Sequence, residues 1–163
     1  MFDICNRRDY KYPHPMAESC RFAFAVHILA MLAREPGRGM TSDVLAGSVN
    51  TNPVVVRRIL SSLRRAGLVC CVQGAGGGAT LCRTPESIGL DEIYRAIEPQ
   101  RSLAGKRHHP NLRCPVGRQI KRVLEDVYSS AQCALEASLA ERTLADALEG
   151  VAHAPTPRSR KTA

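Results

Sequence analysis

The segment Pro53–Arg65 contains four arginines, Arg57, Arg58, Arg64 and Arg65, and no acidic residue. A guanidinium group can donate two parallel hydrogen bonds to a guanine base, and it can also pair with a phosphate. A run of charge on its own is typical of a solvated surface. The place of this segment in the fold must therefore decide whether its arginines bind a ligand. The whole chain carries a net charge of +8, from 23 Lys and Arg against 15 Asp and Glu. This balance favours a polyanionic partner, nucleic acid first.

A second group of reactive side chains surrounds Cys114, which directly precedes Pro115. Proline at the first helical position would place Cys114 at the N-cap, where unpaired amides and the helix dipole favour a thiolate. The predicted role is a redox or electrophile sensor, and an inert capping residue is the alternative. His108 and His109 could form a metal site with Cys114. Because their spacing is not a standard zinc pattern, we predict no metal site and keep these residues as weak candidates.

The seven cysteines are odd in number and scattered along the chain. This pattern is not a disulfide framework, and it indicates a reducing, cytoplasmic environment. Adjacent strand residues point to opposite faces, which disfavours a bond between Cys70 and Cys71. We expect four cysteines to be small core residues: Cys20, Cys71, Cys82 and Cys133.

Several classes of function are disfavoured by the composition. A chain of 163 residues has the length of one domain, and three Phe, four Tyr and no Trp are too few for base-stacking platforms on single strands. A hydrolase built on Cys114 would need an oriented base and an oxyanion hole, for which the sequence offers no set. The apolar run Phe22–Ala33 is too short to span a bilayer. We therefore predict neither an enzyme nor a membrane protein.

Three helices are predicted in the first half of the chain. The first runs from about Ala17 to Arg34. Thr41 or Ser42 can cap the second, which runs to about Ser48. After a tight turn, Asn52 caps a third helix with Pro53 at its first helical position. The apolar face of this helix comprises Val56, Ile59, Leu60 and Leu63. The four arginines therefore share its exposed face, in a helix-turn-helix arrangement.

A β-hairpin and a long helix follow. Gly67 ends the third helix, and the strands Leu68–Val72 and Ala79–Arg83 flank the turn Gln73–Gly78. Another short helix spans Asp91–Ile97. The long helix begins at Pro115 and has a stripe of small or apolar residues about 3.7 residues apart: Val116, Ile120, Val123, Val127, Ala131, Ala134 and Ser138. Since such a stripe needs a partner surface, we predict a dimerisation helix. Thr143 and Asp146 form a predicted capping box for a last helix, to about Glu149.

The predicted fold class is mainly α with a small β-hairpin, a winged helix-turn-helix domain plus a long C-terminal dimerisation helix. Residues 1–15 form a predicted disordered extension, with Met16 as a candidate true start, and residues 16–98 form the winged domain. Residues 99–114 form a basic sensor-type loop, and residues 115–150 the dimerisation and terminal helices. Residues 151–163 form a predicted disordered basic tail.

Several segments resemble the Rrf-type (IscR/NsrR-like) winged helix-turn-helix transcription regulators. They are Arg21-Phe-Ala, Thr51–Leu60, Leu63–Val69, the glycine-rich Gly74–Gly78 and Asp91–Ile97. The resemblance covers about Cys20 to Leu148. It implies a homodimeric cytoplasmic DNA-binding protein, usually a repressor, joined through its long C-terminal helix.

The sensor loop departs from the pattern of that family. Cluster-binding members carry three cysteines in this loop, whereas this chain has only Cys114, at the position of the last of them. Because an iron-sulfur site needs about four ligands, mostly thiolates, we expect no cluster and no cofactor.

The resemblance and the arginine face together predict the residues that contact DNA. Those near the start of the recognition helix are expected closest to base edges: Thr51, Asn52, Val54, Val55, Arg57 and Arg58. Farther along, Ser61, Arg64 and Arg65 lie on the exposed face, where the two arginines meet phosphates or merely keep the helix soluble. In the wing, Gln73, Gly74, Gly76 and Gly77 approach the minor groove. Since Arg57 replaces an acidic residue of the family and Gln73 an arginine, the DNA target is expected to differ.

The predicted function is a sequence-specific regulator that binds double-stranded DNA at a pseudo-palindromic site as a homodimer. Two alternatives remain open: a winged-helix module for protein contacts without a DNA target, and a metal-responsive regulator.

Overall fold

The computed structural model describes residues 20–72, 77–98 and 110–153. The predictions for residues 1–15, for His108 and His109, and for the tail from residue 154 lie outside these ranges. Three wing residues, Gln73, Gly74 and Gly76, also lie outside them.

The helix-turn-helix is built from α1 (Cys20–Arg34), α2 (Ser42–Val49) and α3 (Pro53–Arg65). Thr41 caps α2, since its Oγ1 accepts a hydrogen bond from the Val44 N–H at 3.3 Å. The Asn52 Oδ1 caps α3 by accepting from the Val54 N–H at 2.8 Å. In the turn between them, Asn50 takes a left-handed conformation with φ of 56°, which asparagine tolerates. The predicted caps of α2 and α3 are confirmed.

The wing consists of β1 (Val69–Val72) and β2 (Gly78–Leu81), which pair antiparallel with Cys70 opposite Thr80. It is attached to the segment before α2, because Met40 and Ala79 exchange backbone hydrogen bonds of 3.0 and 2.8 Å. Gly78 allows this approach, since a Cβ there would lie 2.5 Å from the Met40 carbonyl oxygen. The wing therefore has one anchored strand, β2, and one outer strand, β1.

The remaining helices are α4 (Leu90–Ile97), α5 (Pro115–Ala140) and α6 (Leu144–His153), with a short 3-10 turn at Pro85–Ser87. The end of the chain returns to the winged domain. The Leu90 N–H donates to the Arg142 carbonyl at 2.9 Å, and the Leu144 N–H donates to the Ile88 carbonyl at 2.8 Å. Ile88 and Leu144 are both fully buried in the single core. We expected α6 to end near Glu149, but it continues to His153, whose Nδ1 lies 2.8 Å from the Glu149 carbonyl oxygen.

The start of α6 is stabilised by the predicted capping box. Asp146 Oδ2 accepts from the Thr143 N–H at 2.7 Å and from its hydroxyl at 2.9 Å, and Thr143 Oγ1 accepts from the Asp146 N–H at 3.2 Å. These hydrogen bonds from Thr143, together with the charge of Arg142, lower the pKa of Asp146. A carboxylate with a lowered pKa stabilises the fold above its unfolded pKa, and this contribution is lost as pH falls through the folded pKa.

We expect Asp146→Asn to lower the melting temperature at pH 6 and to have a smaller effect at pH 3, where the wild-type carboxyl is increasingly protonated. Circular dichroism melts at both pH values measure this difference. Asp126→Asn, at an exposed position on α5, is the matched control. An effect of Asp146→Asn that is equal at both pH values would contradict the prediction.

The cysteines differ most from their predicted places. Cys70 and Cys82 are joined by a disulfide, so the prediction of no disulfide is wrong for this pair. Cys71 and Cys133 are exposed and Cys20 is half-buried, so none of the four cysteines expected in the core lies in it. The physical reason is that β1 extends beyond the core after Val69, and that α5 has little of its surface covered in a single chain.

Most of α5 faces solvent, and Gly117 is its one buried residue. Val116, Val123 and Val127 of the predicted stripe are 66%, 51% and 56% exposed. The adjoining flank of α5 is half-buried, for example at Leu124, Tyr128 and Ile120, of which Ile120 belongs to the predicted stripe, and α5 also contacts α4. Within the described ranges, no helix is long and apolar enough to cross a membrane.

Candidate nucleic-acid interface

The two faces of α3 have opposite roles. Val56, Ile59 and Leu63 are fully buried in the core, and α3 packs against α1, α2, α4 and β1. The outer face is exposed and comprises Val54, Arg57, Arg58, Ser61, Arg64 and Arg65. Val55, which we grouped with this face, is half-buried and packs against the core, because it lies at the edge of the buried stripe. Leu60, predicted in the core, is also only half-buried.

An open groove of about 410 Å³ runs between α3, the start of α2 and the wing. Its lining includes Arg57, Ser61 and Arg64 from α3, Ser42 from α2 and Val72 from β1. The fold thus brings side chains from the recognition helix and from the wing to one concave surface. Val72 is 48% exposed there, at the point where the chain enters the wing tip.

Arg57 is oriented within this groove by a neighbouring helix. Its Nε donates a hydrogen bond to Ser42 Oγ at 3.2 Å, across 15 residues of sequence. The terminal amino groups of the guanidinium are left to bind a ligand. Ser42 was not predicted as a site residue, and only its position in the first turn of α2 could have indicated it.

The other arginines differ in their surroundings. Arg65 donates to Ser62 Oγ at 3.4 Å and so lies partly along the helix. Arg58 and Arg64 are exposed. Within the described part of the chain, no acidic group pairs with any of the four arginines, whereas Arg38, Arg83 and Arg95 each form an ion pair elsewhere. The outer face of α3 is therefore a surface of uncompensated positive charge.

The start of α3 offers fewer polar groups than its sequence suggested. The side-chain oxygen Oδ1 of Asn52 is used in capping, so only the side-chain amide nitrogen Nδ2 remains to donate to a ligand. Thr51 is half-buried, and its N–H donates to the Ala46 carbonyl at 3.0 Å. In the wing, Gly77 is half-buried just before β2. Contacts of the wing tip with DNA stay a prediction.

Cys114 occupies the N-cap of α5, as predicted, and is exposed. Its carbonyl accepts from the Arg118 N–H at 3.1 Å, and its own N–H donates to the Asn111 carbonyl at 3.1 Å. Its thiol makes no capping hydrogen bond. The turn at Asn111 packs closely over the first turn of α5, since a Cβ on Gly117 would collide with the Asn111 carbonyl oxygen.

The thiolates present do not fit an iron-sulfur cluster. Cys114 stands alone in the segment before α5, which holds no other cysteine from residue 99 onward. Cys70 and Cys82 are bonded to each other. Among the described residues, no three His, Cys, Asp or Glu side chains are grouped as metal ligands. The weak candidate of Cys114 with His108 and His109 lies partly outside those residues and is not tested.

A recognition helix with an exposed basic face, preceded by a short helix and followed by a two-stranded wing, defines the winged helix-turn-helix class of DNA-binding proteins. Residues 19–150 match the family model Rrf2, described as an iron-dependent transcriptional regulator. The chain belongs to the Rrf2 family. The Rrf-type resemblance and the predicted fold class are thus confirmed, and the protein is a helix-turn-helix transcriptional regulator.

Individual relatives agree with this family. YwnA of Bacillus subtilis (strain 168), named as a candidate HTH-type transcriptional regulator, is 40% identical over 128 residues, covering 78% of this chain and 94% of YwnA. A crystal structure of a candidate DNA-binding protein is 38% identical with a TM-score of 0.62, covering 78% of this chain and 98% of that one. T. potens IscR is 25% identical with a TM-score of 0.62, covering 85% and 91% of the two chains.

Proposed function

We propose that the protein is a homodimeric repressor that binds a pseudo-palindromic site in double-stranded DNA. The observation that carries this proposal is the acid-free arginine face of α3, set in a groove that the wing closes on one side. A helix fits the major groove of B-DNA, and the wing of the same chain can then reach the adjacent minor groove.

Base reading is assigned to the half of α3 nearest its start. Arg57 is held in the groove by Ser42, and a guanidinium fixed in this way can pair with guanine O6 and N7. Val54 is 46% exposed and can contact a thymine methyl. Arg64 lies two turns farther along the helix and is assigned to phosphate contacts, which position the protein without reading sequence.

Dimerisation is assigned to α5. Its exposed valine stripe would remain in water in a single chain, and pairing with a second copy would bury it. Two-fold symmetry then presents two recognition helices to two half-sites about one helical turn apart. Repression follows when the bound dimer excludes the transcription machinery from its site. The proposed regulator acts in the cytoplasm, without a cofactor and without enzymatic activity.

The test is to recover DNA bound to the full-length protein, sequence it, and titrate the enriched duplex at several salt concentrations. We expect a two-fold symmetric motif and an affinity that falls steeply with salt, because bound counterions are released. A reporter gene behind that site should be expressed more strongly when the regulator is deleted. Failure to enrich any motif, with salt-independent binding, would instead indicate a module for protein contacts.

Cys114 is assigned as the site at which an electrophile releases the DNA. It is an exposed thiol at the joint between the segment that follows the winged domain and α5. An added group there would crowd the Asn111 turn packed over Gly117 and would tilt α5. The spacing of the two half-sites depends on that angle.

We expect N-ethylmaleimide to weaken operator binding of the wild-type protein about tenfold, a change of about 1.4 kcal/mol. Cys114→Ser should bind DNA normally and should not respond to the reagent. Cys133→Ser, which removes another exposed thiol from α5, is the matched control and should respond like the wild type. A Cys114→Ser protein that still releases DNA would contradict this assignment.

A further inference from the structure

Cys70 and Cys82 are brought together by the strand register of the wing. Cys70 lies opposite Thr80, so Cys82, two residues beyond Thr80, lies on the same face of the hairpin. The Cys82 N–H donates to the Leu68 carbonyl at 3.1 Å, which extends the pairing past the end of β2. The two Cα atoms are 5.3 Å apart and the sulfur atoms are bonded. Because the backbone pairing sets this geometry, the two thiols would also lie side by side in the reduced protein.

Both sulfur atoms lie in an accessible part of the molecule. Cys70 and Cys82 are exposed residues. An open groove of about 330 Å³ adjoins Cys82 and is lined by Leu32, Pro36 and Arg83, among others. A small thiol or peroxide can therefore approach from this side. Exposed disulfides are the ones that exchange readily with thiols, in contrast to buried structural ones.

The disulfide joins Cys82, which directly follows the anchored strand β2, to the outer strand β1, whose residues after Val69 are exposed. β2 is attached to the segment before α2 through the hydrogen bonds between Met40 and Ala79. In β1 only Val69 is buried, and Cys70, Cys71 and Val72 are exposed. A two-stranded ribbon without a core is marginally stable on its own. Without the cross-link, the outer half of β1 is therefore free to separate from β2, and the wing tip begins directly after it.

We propose that Cys70 and Cys82 form a reversible redox site that controls the order of the wing. In the oxidising direction, one thiolate attacks hydrogen peroxide, becomes a sulfenic acid and releases hydroxide, which is protonated to water. The second thiolate attacks that sulfur, forms the disulfide and releases a second hydroxide, which is also protonated to water. The two electrons lost by the sulfurs reduce the peroxide bond. In the reverse direction, two small thiols attack in turn and leave as their own disulfide.

The effect on DNA rests on the proposed function of the wing. A wing that is ordered before binding does not lose that freedom on the DNA, so the oxidised form should bind more tightly. We expect an affinity gain of about three- to tenfold for the oxidised form. This direction is opposite to the release expected from modification of Cys114, so the two sites can be told apart.

The experiment uses full-length protein, first reduced with dithiothreitol, then treated with hydrogen peroxide, and finally reduced again. Mass spectrometry after alkylation identifies the linked cysteines, and hydrogen exchange measures the order of residues 69–82. Titration of the operator gives the affinity of each form. Cys70→Ser and Cys82→Ser remove the pair. Cys71→Ser, on the opposite face of the same strand, and Cys114→Ser are the matched controls.

We expect peroxide to link Cys70 to Cys82 in the wild type and in both controls and to slow amide exchange in β1 about tenfold. The gain in affinity for DNA is measured in Cys114→Ser, in which oxidation at position 114 cannot release the DNA. Dithiothreitol should reverse all three changes. In Cys70→Ser and Cys82→Ser, peroxide should neither slow amide exchange in the wing nor raise the affinity for DNA. The comparison of oxidised with reduced wild type requires no variant to fold.

Different outcomes would overturn different parts of the proposal. If Cys70 and Cys82 stay reduced while other cysteines react, the redox site is wrong. If the bond forms without slower exchange, the control of wing order is wrong. If the bond orders the wing but the affinity stays within twofold, the regulatory role is wrong and DNA binding stands. If neither form binds DNA, the proposed function fails, and the link to DNA fails with it. The thiol and exchange measurements still decide whether the site is redox-active.

Discussion

Replacing Arg57 with alanine is expected to weaken operator binding by about 1–3 kcal/mol, roughly 5- to 150-fold. The reason is its position in the groove, where the hydrogen bond to Ser42 orients the guanidinium before DNA arrives. A pair with guanine would be lost together with this orientation. Binding to random duplex should fall much less, because it depends on total charge.

The measurement is a titration of operator and random duplex at several salt concentrations. Arg38→Ala is the matched control, since it removes the same charge from an exposed arginine that is paired with Glu35 and lies off α3. Arg64→Ala should weaken both duplexes similarly and reduce the salt slope by about one. Ser42→Ala should produce a smaller loss than Arg57→Ala. Equal, salt-independent losses for Arg57 and Arg64 would indicate a folding defect instead.

Replacing both Val123 and Val127 with glutamate is expected to separate the dimer and to weaken operator binding by about 100-fold or more. The two valines are about half exposed on one face of α5, and a second copy would bury them. Carboxylates in that position would have to lose water without a partner. A monomer contacts one half-site, so it also loses the high effective concentration of the second recognition helix.

The matched control is Ser129→Glu with Cys133→Glu. These residues are exposed, have the same spacing and receive the same charge. Both lie at least about 80° around the helix from either valine, at about 100° per residue. Light scattering should show a monomer for the valine variant and a dimer for the control. A valine variant that remains dimeric would assign dimerisation to another surface.

Local features of the fold could be predicted from the sequence. The caps at Thr41, Asn52 and Thr143 need only residues two or three positions away, and the structure contains all three. The apolar face of α3 follows from the helical period alone. The period does not define where that face ends, since Val55 and Leu60 at its edges are half-buried.

Features that depend on distant residues could not be predicted. The disulfide between Cys70 and Cys82 requires the exact register of the hairpin, and a shift of one residue would place the cysteines on opposite faces. The contact between Arg57 and Ser42 joins two helices across 15 residues. The burial of Leu144 depends on how the end of the chain returns to the winged domain. Periodicity and spacing contain no information on such pairings.

Because the chain returns to the winged domain at Leu144, the C-terminal end of α5 is attached to that domain and does not project freely. Its last residues lead into two backbone hydrogen bonds to the winged domain: the Arg142 carbonyl accepts from Leu90, and the Leu144 N–H donates to Ile88. Ile88 and Leu144 are both buried in the core. A chain cut after residue 98 would leave the Ile88 carbonyl without its hydrogen bond from Leu144 and would expose part of the core that Leu144 covers. A tilt of α5 caused at Cys114 must also bend the helix or displace the domain to which its other end is attached. In the proposed dimer, a change at Cys114 would in this way move the recognition helices through α5.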